Sequence, residues 1–232
     1  MNIQKTQSRR DLEKVIGISI FSALAFIVAL ICSIIPPIAG FLSLDVKDAV
    51  IAIAAFIYGP ISGVVIAFIA ALIEFLTLTF TTTGWYGFVM NFVSSAVFSL
   101  TAALIYKRIR TINGAIISFL AAVVTTTGVM LLLNNFVTPI YLVEFQGMPK
   151  NVATETVIGL LPKVLLPFNF AKSLLNASIA VMLYKPLLLA LSKAKIIKQR
   201  EVNYKFNRNS VIILSVGAVF LAVAVVIFLR IA

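Results

Sequence analysis

Of the 232 residues, 61% are hydrophobic and only 12% are charged, which sets the chain apart from soluble globular domains and places it among polytopic membrane proteins. The net charge of +11 raises nucleic acid as a partner, but the basic residues lie between apolar spans and form no interleaved patch, so no nucleic acid is expected and they read as topology signals. With no histidine and a single cysteine, Cys32, the sequence excludes His-dependent catalysis, an intrachain disulfide and a Cys/His metal framework; no G-x-x-x-x-G-K-S/T stretch offers ATP a phosphate loop.

Residues 1–14 carry Lys5, Arg9, Arg10 and Lys14 against Asp11 and Glu13 and read as a cytoplasmic leader. The apolar run 15–35 is too long for the core of a signal peptide and reads as an uncleaved first span. In it Ala25, Ala29 and Ser33 recur every four residues, the spacing of small side chains that lets another helix approach closely. Pro36 and Pro37 end the helix, and an outer loop with Asp45, Lys47 and Asp48 follows. Residues 49–57 are apolar but short, able to cross only with the residues before them or as a half-buried segment.

Tyr58-Gly59-Pro60 turns the chain into a third span, 61–78, with Glu74 near its far end, and a threonine-rich loop leads to the fourth, 85–106, which opens on Trp85 and Tyr86 and contains Asn91. The fifth span, 113–137, ends on Asn134, Asn135 and Phe136, ahead of Tyr141. A loop with Glu144, Lys150 and Glu155 is expected next, and Pro162 and Pro167 break the approach to a sixth span that runs to about residue 184. Residues 193–209 form a basic cytoplasmic linker, and 210–232 an additional transmembrane helix. The expected architecture is therefore an all-α polytopic membrane protein, with a substrate-binding membrane domain over 15–192.

The basic residues at the N-terminus, Lys107, Arg108, Arg110 and those between residues 185 and 208 share one side; Lys47, Lys150, Lys163 and Arg230 fall on the other. The positive-inside rule then predicts seven crossings of the cell membrane, N-terminus in the cytoplasm and C-terminus outside. In this orientation the polar residues of distant spans share a depth near the outer surface.

The sixth span holds the most informative stretch. Asn169, Lys172, Ser173 and Asn176 fall at i, i+3, i+4 and i+7, one face of a helix. Lys172 lies about 20 Å from the basic segment after residue 184, further than a lysine stem reaches, so snorkelling to that side does not account for it. A lysine in a membrane interior faces a bundle or a wet cavity and has a partner. With Asp45, Glu74, Asn91, Asn134 and Asn135 at the same depth beside Trp85, Tyr86, Phe136 and Tyr141, the expectation is an outward-opening cup that holds a flat, mostly apolar molecule with polar edges. A plain Lys172–Glu74 salt bridge with no ligand is the competing expectation.

Three motifs resemble those of the riboflavin-specific S components of energy-coupling factor (ECF) vitamin transporters: Leu166-Pro167-Phe168-Asn169-x-x-Lys172, Thr83-Gly84-Trp85-x-Gly87-Phe88-x-Met90-Asn91, and Asn134-x-x-x-Thr138-Pro139-Ile140-Tyr141. The resemblance covers about residues 12 to 192. It implies a six-helix S-component bundle that binds riboflavin as transported ligand, uses no cofactor, and associates with a T component and two ATPase subunits. It implicates Asn134, Asn169 and Lys172 in contacts to the isoalloxazine edge, carries Asp45 over from the first loop, and makes Ala25 and Ala29 the docking surface for the T component. Two departures stand out: Ser173 where glycine is expected, and a seventh span with no counterpart. An S component for a different small vitamin, a stand-alone ion-coupled carrier using Glu74, and a membrane enzyme with Glu74 or an outer aspartate as base remain the alternatives.

Overall fold

The computed structural model describes residues 2–109, 111–193 and 208–231. In chain order the elements are α1 (Asn2–Cys32), α2 (Lys47–Tyr58), α3 (Pro60–Glu74), α4 (Gly84–Arg108), α5 (Ile112–Gln146), α6 (Lys150–Leu160), α7 (Leu166–Lys193) and α8 (Arg208–Ile231). Two π-helical turns, Phe75–Thr79 and Leu161–Leu165, extend α3 and join α6 to α7. Among the described residues six stretches are long and apolar enough to cross a membrane: Asp11–Cys32, Pro60–Thr79, Gly84–Arg108, Asn113–Gln146, Lys150–Tyr184 and Val211–Ile231. The protein is an all-α membrane bundle.

α2 is the exception that organises the rest. Its 12 residues reach about 18 Å, well short of a hydrocarbon core of roughly 30 Å. Every residue from Lys47 to Ala55 is buried, and Ala49, Ala52 and Ile53 pack with Phe98 of α4, Phe119 and Ala122 of α5, and Ala171, Leu174 and Ala177 of α7. A helix wrapped on all sides needs small residues so that its neighbours can close in, and α2 is rich in alanine for that reason.

α1 closes one side of this core. Phe21 and Ala25 pack against Val50, Ile51 and Ala54 of α2 and Ile66, Ala67 and Ala70 of α3. At Gly17 a side chain would collide with the ring of Tyr58, so glycine lets the end of α2 lie directly on α1. Ala25 and Ala29 are both buried inside the bundle, not presented outward as a docking surface. Their spacing does mark a close helix contact, and for Ala25 the partners are α2 and α3 of the same chain.

Local departures from the sequence expectations share one cause, helices that persist through positions read as breaks. The leader belongs to α1 from Asn2 onward. α5 runs through Pro139 to Gln146, so Glu144 is helical; it stops at Gly147, whose φ of 66° and the Met148 N–H bond to the Leu142 carbonyl (3.1 Å) terminate the helix. Lys150 and Glu155 lie on α6, and Pro162 is absorbed by a π turn, where the wider ladder tolerates its missing N–H. α7 continues past residue 184, through Pro186, to Lys193. Arg110 and the linker residues 194–207 lie outside the described residues.

Two ends of the bundle differ in chemistry. At one, Phe56, Tyr106, Phe119 and Tyr184 form an aromatic cluster in which the Tyr106 and Tyr184 hydroxyls are bonded. At the other, the loop between α1 and α2, the end of α3, the start of α4 and the start of α7 meet in a polar layer.

Candidate functional site

Construction begins on α7. Asn169, Lys172, Ser173 and Asn176 are all buried, as the helical spacing predicts. Asn176 is a clasp: its Oδ1 accepts from the Ala49 N–H at 2.9 Å, and its Nδ2 donates to the Asp45 and Lys172 carbonyls, each at 3.0 Å. One amide thus pins the start of α2 to the middle of α7, satisfying backbone groups that a helix start in the bundle interior would otherwise leave unmatched.

The clasp places Asp45 beside two ammonium groups. Lys172 Nζ donates to Asp45 Oδ2 at 2.7 Å and to the Ser43 carbonyl at 3.2 Å. Lys47 Nζ donates to Glu74 Oε2 at 2.7 Å and to Asp45 Oδ2 at 3.3 Å. Asn91 Nδ2 donates to Glu74 Oε1 at 3.0 Å, and Ser95 Oγ to Asp48 Oδ1 at 2.5 Å. Burial pushes the Asp45 carboxyl up, but the Lys172 and Lys47 charges outweigh it and hold the group below the usual carboxylate range. The expected Lys172–Glu74 pair is therefore replaced by two pairs, Lys172–Asp45 and Lys47–Glu74. Lys47, read from the sequence as an outer-loop residue, is 1% exposed and joins them.

Above this layer opens a cleft of about 90 Å³, narrower than the roughly 300–1,000 Å³ usual for small-molecule sites. Asn91, Asn134, Asn169, Lys172 and Tyr141 line it. Asp45 and Glu74 do not; they sit behind Lys172 and Asn91 and orient them. Trp85 is 58% exposed and Phe136 is 67% exposed, and neither lines the cleft. Tyr86 stands where Trp85 was expected, its hydroxyl donating to Glu144 Oε2 at 2.6 Å. Neighbouring helix positions point about 100° apart, so only one of the two rings can face inward.

The walls are aromatic: Tyr141 lies 6.4 Å from Tyr86 and 6.0 Å from Phe41, and Phe168 closes another side. Two asparagines are braced by their own helices, Asn134 Nδ2 on the Met130 carbonyl and Asn169 Nδ2 on the Leu165 carbonyl, both at 2.7 Å. Thr138 also donates to Asn134 Oδ1 at 2.9 Å. The Thr79 hydroxyl lines the cleft, is buried, and has no hydrogen-bond partner in the protein. Such a group costs free energy unless something arrives to meet it. Sequence reasoning passed over Thr79 as loop; its place at the end of a π-helical turn, where such turns gather near functional sites, could have marked it only once the turn was visible.

The family model for the ECF transporter, substrate-specific component, matches residues 13–188. Riboflavin transporter RibU of Staphylococcus aureus (strain TCH60) is 30% identical over 189 residues, 81% of this chain and 96% of its own. Riboflavin transporter FmnP of Bacillus subtilis (strain 168) is 27% identical over 167 residues, 70% of this chain and 85% of its own. A solved structure of the S component of a bacterial ECF transporter aligns with a TM-score of 0.62 at 30% identity, covering 78% of this chain and 98% of that one.

Proposed function

This chain belongs to the ECF transporter substrate-specific components, and we propose that its cleft captures riboflavin from outside the cell for uptake driven by partner subunits. The observation that carries the reading is the combination in one cleft of aromatic walls, braced asparagines, a lysine with a donor to spare and an unpartnered buried hydroxyl. In this reading a flat ring system lies against Tyr141, Tyr86 and Phe168 as the narrow cleft widens to admit it, while its polar edge meets Asn134, Asn169, Lys172 and Thr79. Lys172 spends two of its three donors on Asp45 and Ser43, which leaves one for a ligand carbonyl. Because Asp45 already balances its charge, the site suits a ligand without net charge.

Asp45 and Glu74 act from behind the lining in this reading. Glu74, held by Lys47 and Asn91, has the setting of a structural carboxylate, which argues against the ion-coupled carrier. With no phosphate loop in the chain, energy comes from a T component and two ATPase subunits, and residues 15–192 form the binding domain. The distribution of basic residues supports an N-terminus inside and a C-terminus outside, which requires α2 together with the loop before it to make a seventh crossing beside the six long spans.

The test is purification from riboflavin-fed cells followed by titration with flavin fluorescence as the readout. A yellow preparation, or a colourless one that saturably quenches added riboflavin, supports the assignment. A colourless protein that leaves riboflavin fluorescence unchanged rejects it, and identifying a different copurifying vitamin by mass spectrometry redirects it.

A further inference from the structure

α8 lies beyond the residues that match the family, 13–188, yet it is not a loose anchor. It packs antiparallel along α7: the Ser178 hydroxyl donates to the Gly217 carbonyl at 2.7 Å, and a side chain at Gly217 would strike Met182. Ile213 and Ala224 are buried in the central core with Ala177, Ala180 and Val181. A helix needed only to hold the chain in lipid has no use for a hydrogen bond and so close an approach.

Near its outer end α8 reaches the binding cleft through one intermediary. Phe228 packs against both the central core and the cluster that contains Tyr86, Tyr141 and Phe168. Its ring centroid is 6.0 Å from that of Phe168, with the planes at 71°. Phe168 is 3% exposed, lines the cleft, and directly precedes Asn169 on α7. Without Phe228 the side of Phe168 away from the cleft would open, and the ring would gain room to swing from the ligand.

We propose that α8 forms an outer layer of the binding site, with Phe228 as a positioning residue that holds Phe168 against the bound ligand and so sets its residence time. This rests on the reading of the cleft as the riboflavin site. A flat ligand gains most from a wall already rigid before it arrives, and the gain appears mainly in the dissociation rate.

The experiment measures riboflavin dissociation by stopped-flow fluorescence, together with thermal stability, on the full chain and its variants. Phe228→Ala is expected to speed release roughly three- to tenfold, the range an aromatic pair supplies, with little change in association. Phe228→Leu, which fills the volume without a ring and guards against a folding failure of the alanine variant, is expected to speed release to a smaller extent, and Phe228→Tyr to retain wild-type release. Ile213→Ala loosens α8 on α7 away from the cleft; it should lower the thermal midpoint and leave release unchanged. Wild-type release from both Phe228→Ala and Phe228→Leu overturns the proposal, as does Ile213→Ala speeding release as much as Phe228→Ala. A wild type that binds no riboflavin overturns the functional assignment and this inference with it, an outcome distinct from a binding wild type whose variants behave identically.

Discussion

Thr79 and Lys172 make opposite demands on the free energy of the empty protein. The Thr79 hydroxyl has no protein partner, so Thr79→Val, of nearly the same shape, should hold or raise thermal stability while riboflavin affinity falls by about 1 kcal/mol, roughly fivefold. Equal affinities in a fluorescence titration would place the ligand elsewhere in the cleft. Lys172 is bound to Asp45 in the interior, and Lys172→Met strands a buried carboxylate that keeps only Lys47, through its ammonium and its backbone N–H, each at 3.3 Å. A loss of about 3–5 kcal/mol is expected from breaking such a pair. Adding Asp45→Asn removes the stranded charge, so the double variant should unfold at a higher temperature than Lys172→Met alone. A double variant no more stable than the single would show that the pair is not coupled.

At the scale of elements, the decisive feature is a short helix with charged residues at its buried start. Asn176 is the residue that makes this tolerable, because it matches the Ala49 N–H and the Asp45 carbonyl across the gap to α7. Asn176→Leu leaves both backbone groups unmatched at about 1–3 kcal/mol each. It should also weaken riboflavin binding, although Asn176 does not line the cleft, since Asp45 and Lys172 lose their common support. Loss of stability with unchanged affinity would show that the ion pair holds its geometry without the clasp. The π turn at Phe75–Thr79 plays a comparable part on the other side, carrying Thr79 to the cleft just after Glu74 has paired with Lys47.

The whole molecule is tested by its sidedness and its dependence on partners. On a Cys32→Ala background, a Thr83→Cys variant should react with an impermeant thiol reagent in intact cells, whereas Gln199→Cys should react only after permeabilisation. The reverse pattern would invert the proposed orientation. Riboflavin uptake into a host that lacks ATPase subunits should be absent and return when they are supplied together with a T component. Uptake by the chain alone would revive the ion-coupled carrier.

Hydropathy and helical period are properties of neighbours along the chain, which is why the sequence by itself determined the all-α membrane class, the buried polar face of α7 and the end of the bundle where polar groups gather. The same local signals allowed Pro162 and Pro167 to be read as breaks, because surrounding helices that hold a proline-containing segment in place are not visible in the segment. Partner choice is a different matter, set by how each helix is rotated about its axis and by how far a loop descends between its neighbours. Only the tertiary structure decided that Lys172 pairs with Asp45 and leaves Glu74 to Lys47, that Tyr86 turns in and Trp85 out, and that Ala25 and Ala29 are buried within their own chain. A rotation of one residue, about 100°, exchanges a lining side chain for a lipid-facing one, and no local pattern in this sequence sets that angle.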